Sequence, residues 1–124
     1  MLTLFIAEDS LPVRKALKAW LAEIPWVRVV GCAGEARKVS ALIENRQPDV
    51  VFLDNSLAGG SGIEVLKRIK TVLPPTVVVM FTADDFPQIR SRCQAAGADY
   101  FLNKSTEFAK IPELLQQIRQ IKET

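Results

Sequence analysis

Histidine is absent from this chain. Without it the chain holds no histidine general base, no histidine-assisted nucleophile and no imidazole metal ligand of its own. Cysteine is scarce. Cys32 and Cys93 stand far apart with no CxxC spacing, which favours buried, reduced thiols over a disulfide or a sulfur-ligated metal. No apolar run approaches the ~18 residues of a membrane helix. The start, Met1 to Ala7, lacks the basic flank of a signal peptide, and acidic residues follow at once. A cytoplasmic protein is the expectation, with no membrane partner. Charge imbalance is small too: 16 Lys and Arg against 14 Asp and Glu leave +2, too little to argue for nucleic acid. Solvated helix faces are the expected place for the basic residues. What remains is ordinary, 48% apolar and 24% charged over 124 residues, enough for one domain with a sizeable core spanning 1–124.

The stretch Asp49-Val50-Val51-Phe52-Leu53-Asp54 organises the rest. Four apolar residues between aspartates, followed by the glycine-rich loop 57–62, read as a strand buried on both faces. At about 3.3 Å per residue the aspartates lie roughly 16 Å apart at opposite strand ends. Ligands of parallel sheets bind at the carboxyl end, so Asp54 is the candidate for chemistry and Asp49 marks the strand entry.

Similar runs recur along the chain. Strands are expected at 2–7, 26–33, 76–81 and 100–102. Helices are expected at roughly 12–23, with Ser10 as cap, and at 35–45. A third starts near Gly62 with Ser61 as cap and stops at Pro74-Pro75. Phe86, Ile89, Cys93 and Ala96 suggest a fourth helix ended by Gly97. Ile111, Leu114, Leu115, Ile118 and Ile121 suggest a fifth. Five alternations of strand and helix predict an α/β, doubly wound (βα)5 fold with a parallel sheet and helices on both faces.

The strand ends then gather polar residues: Glu8 and Asp9, Asp54, Thr82 and Lys104. Three carboxylates in one crevice repel unless a cation neutralises them, and hard oxygen ligands suit Mg²⁺. A carboxylate-held metal, a lysine and a hydroxyl form a phosphoryl site, with Asp54 as nucleophile. Lys104 would offset charge on the phosphoryl oxygens, and Thr82 would bond one of them.

These residues resemble the receiver domain of two-component response regulators. The resemblance covers the whole chain. It rests on Glu8-Asp9, on Asp54 after its apolar strand, on Gly62, on Thr82-Ala83 and on Gly97-Ala98-Asp99-Tyr100-Phe101-Leu102-Asn103-Lys104. It implies a flavodoxin-like five-stranded sheet of order 2-1-3-4-5. It implies that Asp54 accepts a phosphoryl group from a histidine kinase or phosphotransfer protein. Glu8, Asp9 and Asp54 would hold Mg²⁺, with the Ser56 backbone carbonyl as a further ligand. Thr82 would move toward the phosphoryl group and Phe101 would turn inward. The signal would leave through the face of the fourth helix, last strand and fifth helix, to a downstream protein, an output domain outside these residues or a second copy in a homodimer. Nucleic acid would be reached only through such a further domain. The chain would catalyse nothing beyond its own phosphorylation and slow dephosphorylation.

Two positions depart from the family. Ser105 stands where proline, often with a cis bond, usually follows the lysine; cis to a non-proline costs ~3 kcal/mol, and the sequence leaves the isomer of the Lys104–Ser105 peptide open. Ala58 stands where proline usually follows the aspartate, beside Gly59-Gly60, so a more mobile loop is expected. Ser56 and Asp84 flank the path of an attacking water and are the candidates for setting phosphoryl lifetime. Two rivals are weighed. A metal-dependent phosphohydrolase would want an acid two residues after its nucleophile, where Ser56 stands. A receiver that only docks would not need Asp54, Glu8, Asp9, Thr82 and Lys104 together.

Overall fold

In the computed structural model, which describes residues 1–123, the apolar runs form the sheet and the amphipathic runs form the helices packed on it. The elements follow as β1 (Leu2–Ala7), α1 (Leu11–Leu21), β2 (Val27–Ala33), α2 (Ala36–Arg46) and β3 (Val50–Leu53). A small hairpin of β4 (Ser56–Leu57) and β5 (Gly60–Ser61) precedes α3 (Gly62–Val72). Then come β6 (Val77–Thr82), α4 (Pro87–Ala95), β7 (Tyr100–Asn103), a 3-10 turn at Phe108–Lys110 and α5 (Ile111–Glu123). The main sheet is parallel with order β2-β1-β3-β6-β7. With the hairpin set aside, this is the expected 2-1-3-4-5 order. Among the described residues no helix is long and apolar enough to cross a membrane.

Alternation along the strands divides the core into two layers, because successive strand side chains point to opposite faces. Leu4, Ile6, Val50, Phe52, Val79, Phe81 and Leu102 face α1 and α5. Phe5, Ala7, Val51, Leu53, Val78 and Met80 face α2, α3 and α4. Central strands buried on both faces must be apolar at every position, and β3 is.

The helices start where caps allow. The Ser10 hydroxyl accepts the amide of Val13 at 3.5 Å and the Ser61 hydroxyl that of Glu64 at 3.3 Å. Gly97 leaves α4 at φ +103°, a left-handed conformation suited to glycine. Asp49 accepts the backbone amide and hydroxyl of Thr3 at 2.9 and 3.0 Å, tying β1 to the entry of β3. Both cysteines are free.

Three expectations need correction. Phe86 does not join the buried stripe of α4; it is 66% exposed. Pro87 starts the helix, so Phe86 occupies an extended cap position. Ile121, expected on the buried face of α5, is 64% exposed, one turn past the last buried residue, Ile118. The glycine-rich loop after β3 is partly ordered as a hairpin, with Ser56 paired to Ser61 and Leu57 to Gly60.

Candidate phosphoryl-acceptor site

Register decides which strand-end residues meet. Leu4 pairs with Val50 and Ile6 with Phe52, so Glu8 and Asp54 continue the same row. Lys104 shares parity with Tyr100 and Leu102, on the α1–α5 side. Backbone bonding carries each row one step past its strand: the Glu8 amide reaches Ala33 O (2.9 Å), that of Asp54 reaches Ala7 O (2.9 Å) and that of Lys104 reaches Thr82 O (3.1 Å).

The result is a buried ionic cluster. Lys104 Nζ donates to Glu8 Oε1 at 2.6 Å and to Asp54 Oδ2 at 2.8 Å. The side chains of Glu8 and Asp54 are 1% and 3% exposed. Asp9, which is exposed, adds a third carboxylate; one oxygen of each acid lies within 4.8 Å of the others. The Ser56 amide donates to the second oxygen of Asp54 at 3.2 Å.

Electrostatics separate the two buried acids. Burial, and then the neighbouring Asp54 carboxyl, push Glu8 up to about 7 against the pull of Lys104. Burial also works upward on Asp54 and is its largest single influence. The bonding with Glu8, Lys104 and the Ser56 amide outweighs it, so Asp54 sits below the usual carboxylate range. Burial works downward on Lys104, yet Asp54 and Glu8 together hold its pKa above the ordinary lysine value. At neutral pH Asp54 is therefore an ionised carboxylate facing a fixed ammonium.

The donor set suits a hard divalent cation. Its ligands are all oxygens, and buried Glu8 Oε2 has no hydrogen-bond partner among the described residues. A buried carboxylate oxygen left unpaired carries a desolvation cost that a cation would relieve.

The other expected residues occupy distinct places. Thr82 ends β6 with the opposite parity, beyond Val78 and Met80 of the α2–α4 layer. Among the described residues its hydroxyl accepts the Asp84 amide at 3.2 Å and makes no bond to Asp54. Ser56 and Asp84 do meet: the Ser56 hydroxyl donates to Asp84 Oδ2 at 3.2 Å. Phe101 is half-buried against the α2–α4 layer, while its neighbour Tyr100 packs on the other. The Arg90 guanidinium lies 4.4 Å from the centroid of the Phe101 ring and forms an ion pair with Asp85 at 3.3 Å.

The supporting roles of several residues escaped the sequence reading. The Asn103 side chain accepts the amides of Ser105 (2.8 Å) and Thr106 (3.2 Å), and the Asn103 amide donates to Glu107 at 2.9 Å. This turn presents Lys104 across a trans Lys104–Ser105 peptide. An asparagine at a strand end followed by polar residues is the signal that could have found it. Arg14 donates to the Glu8 carbonyl at 3.2 Å. At Gly62, whose amide donates to Asn55 O at 2.7 Å, an added Cβ would collide with the Asp54 carbonyl. Glycine there lets the α3 start close against the strand end that carries Asp54.

A family model for the response regulator receiver domain matches residues 4–118. The chain is 29% identical over 121 residues to the response regulator GacA of Pseudomonas aeruginosa, covering 98% of this chain and 55% of that protein. It is 38% identical over 103 residues to a cyclic di-GMP phosphodiesterase of Thermotoga maritima, covering 83% of this chain and 27% of that protein. The chain thus spans about half or less of the length of these curated relatives. Among solved structures, the response regulator domain of Thermotoga maritima CheB is 29% identical with a TM-score of 0.85, covering 100% of this chain and 98% of that one. The isolated REC domain of RcsB from Salmonella enterica serovar Typhimurium, solved in the presence of the phosphomimetic BeF3-, has a TM-score of 0.88 over 96% of this chain and 88% of that one. At 24% identity that likeness is one of fold.

Proposed function

The chain belongs to the response regulator receiver domains, and on that premise we propose that Asp54 accepts a phosphoryl group from a phosphohistidine of a sensor histidine kinase or phosphotransfer protein. The observation that carries this reading is the buried, ionised Asp54 carboxylate held 2.8 Å from Lys104 beside Glu8 and Asp9. In the transfer an Asp54 oxygen forms the new bond to phosphorus while the bond from phosphorus to the donor's imidazole nitrogen breaks. Lys104 stands where negative charge gathers on the phosphoryl oxygens. Glu8, Asp9, Asp54 and the Ser56 backbone carbonyl would hold Mg²⁺, which when bound supplies further charge neutralisation there.

The response follows from the residues just outside this cluster. A phosphoryl group adds about −1.5 to −2 charge, and Thr82 would give up the Asp84 amide to bond one of its oxygens. Phe101 would turn further inward in concert. The face of α4, β7 and α5 would carry the change to a partner protein, to an output domain outside these residues or to a second copy of the chain. Ser56 and Asp84, joined by their hydrogen bond, would govern the approach of water and so the lifetime of the acyl phosphate. We take residues 1–124 as one receiver domain acting in the cytoplasm, with nucleic acid contacted only through a further domain.

The test is intact-mass measurement after incubation with acetyl phosphate. Wild type should gain one phosphoryl group in the presence of Mg²⁺ and none after chelation, and Asp54→Asn should gain none. Equal labelling of both proteins would overturn the assignment. Sustained turnover of added phosphomonoesters would favour a phosphohydrolase instead.

A further inference from the structure

A second concave site adjoins the acceptor cluster, sharing Asp9 with it but not Asp54. It wraps the carboxyl end of the edge strand β2, bordered by α1 from Leu11 to Lys18 and by α2 at Lys38 and Leu42, and has a volume of about 610 Å³. That falls within the range of small-molecule pockets, about 300–1,000 Å³. Its walls follow from helix geometry. On α1, Leu11, Lys15 and Lys18 lie at steps of four and three and so share one stripe; on α2, Lys38 and Leu42 do the same. Cys32 contributes to the floor between them.

The lysines on this rim form no ion pair, a condition they share with Arg28, Arg37 and Arg92 among the described residues. Elsewhere many basic side chains reach a carboxylate: Arg68 with Glu44, Lys70 with Asp99, Arg90 with Asp85, Lys110 with Glu107 and Arg119 with Glu123. The side chains of Lys15, Lys18 and Lys38 have no hydrogen-bond or ion-pair partner among the described residues. Two acids, Glu35 and Asp9, also line the groove. Glu35 is turned back onto the Arg37 amide at 3.3 Å as the cap of α2, and Asp9 belongs to the carboxylate trio at the far end of the groove. Lysines of two helices thus border one concavity, whose lining also includes the apolar residues Leu11, Cys32, Ala33 and Leu42.

From this arrangement we infer that the groove binds a small phosphorylated molecule with a flat apolar body, of the nucleotide class. The phosphates sit between the α1 lysines and Lys38, and the ring system lies on Leu11, Cys32 and Leu42. The apolar lining is limited to Leu11, Cys32, Ala33, Leu42 and Ala58, which suits one ring system better than the long apolar stripe of a docked helix. The inference concerns a surface separate from Asp54 and stands whether or not Asp54 is phosphorylated.

The test is an amide-resolved NMR titration of the whole chain with ATP as the probe, without Mg²⁺ and with chelator, so that metal-bridged binding at the carboxylates is excluded. Shifts should concentrate in residues 11–18 and 32–42 and persist in Asp54→Asn. The double variant Lys15→Glu, Lys38→Glu, with its fold checked by thermal melting, should weaken binding by about tenfold or more. Adenosine and tripolyphosphate should each bind more weakly than ATP, the first lacking charge and the second lacking the ring. No groove shifts at millimolar ATP, or an unweakened double variant, overturns the inference. So does tripolyphosphate binding as tightly as ATP, which would mark a bare anion patch. A glutamate-rich peptide displacing ATP efficiently would mark a protein-docking face and overturn it as well.

Discussion

The two core layers differ in what they are made of. The layer under α1 and α5 is aromatic: Phe52 and Phe81 lie 5.5 Å apart, Phe81 and Phe108 6.1 Å, and Trp20 meets Phe108 edge-on at 5.4 Å. The layer under α2, α3 and α4 is mostly aliphatic, built on Val39, Ile43, Ile63, Leu66 and Ile69. The functional candidates divide along the same line. Glu8, Asp54 and Lys104 continue the rows of the aromatic layer, whereas Thr82 and Phe101 belong to the aliphatic one. A single step of strand parity therefore separates residues that hold the acceptor from residues that would respond to it. Rings in edge-to-face and tilted contact add packing energy beneath the acceptor. Under this account the acceptor is held still and the response belongs to the opposite layer.

The strongest break in this division comes from Lys104, the cation of the acceptor cluster. Lys104→Ala removes the donor shared by Glu8 and Asp54, and labelling of Asp54 by acetyl phosphate should slow by about 10²- to 10³-fold with the far-ultraviolet circular dichroism unchanged. A rate near wild type would show that Lys104 has been given the wrong role.

Core truncations compare the layers directly. Phe81→Ala should cost about 3–5 kcal/mol and Leu66→Ala about 2–5 kcal/mol in denaturant unfolding. Only the first should also lower the labelling rate under conditions where both variants remain folded, because Phe81 lies in the layer whose rows end at Glu8, Asp54 and Lys104.

A pH series tests the acid held at about 7. Glu8 carries a raised folded pKa, so its proton-linked contribution to the metal-free fold is complete below the ordinary value of 4.5. That contribution is lost as pH rises through about 7. Cation binding requires the ionised form. Mg²⁺ affinity measured by calorimetry should therefore fall toward about tenfold per pH unit below 7 and level off above it, with proton release detectable on changing the buffer. A flat profile between pH 5 and 8 would separate Glu8 from the cation.

The smallest expected effect lies in the responding layer. Arg90→Ala removes the cation over the Phe101 ring and should cost about 0.5–1 kcal/mol, leaving the initial labelling rate of Asp54 unchanged. A large loss of labelling would mean that the layers are not separable.

Much of this was legible in the residue order, for physical reasons. Short apolar runs punctuated by Gly, Pro and polar clusters leave few options, and every strand of the main sheet lies where such a run stands. The gathering of Glu8, Asp9, Asp54 and Lys104 follows from a parallel sheet presenting all its carboxyl ends on one rim. Other features depend on geometry that no local pattern encodes. The hairpin at Ser56–Ser61 has strands of two residues, too short to show alternation. The exposure of Phe86 turns on helix α4 starting one residue later, at Pro87, than the apolar spacing implies. The clamp of Asn103 and Glu107 on the Lys104 loop joins residues whose polarity alone suggested only a loop. That Lys15, Lys18 and Lys38 border one groove requires knowing that α1 and α2 flank the same edge strand.

The most direct test of the account is where the phosphoryl group lands. After Mg²⁺-dependent labelling, borohydride reduction converts an acyl-phosphate side chain of aspartate to homoserine, which peptide mass spectrometry can locate. The account predicts homoserine at position 54 alone, and only when Mg²⁺ was present. Reduction products at Glu8 or Asp9, or labelling indifferent to the metal, would contradict it.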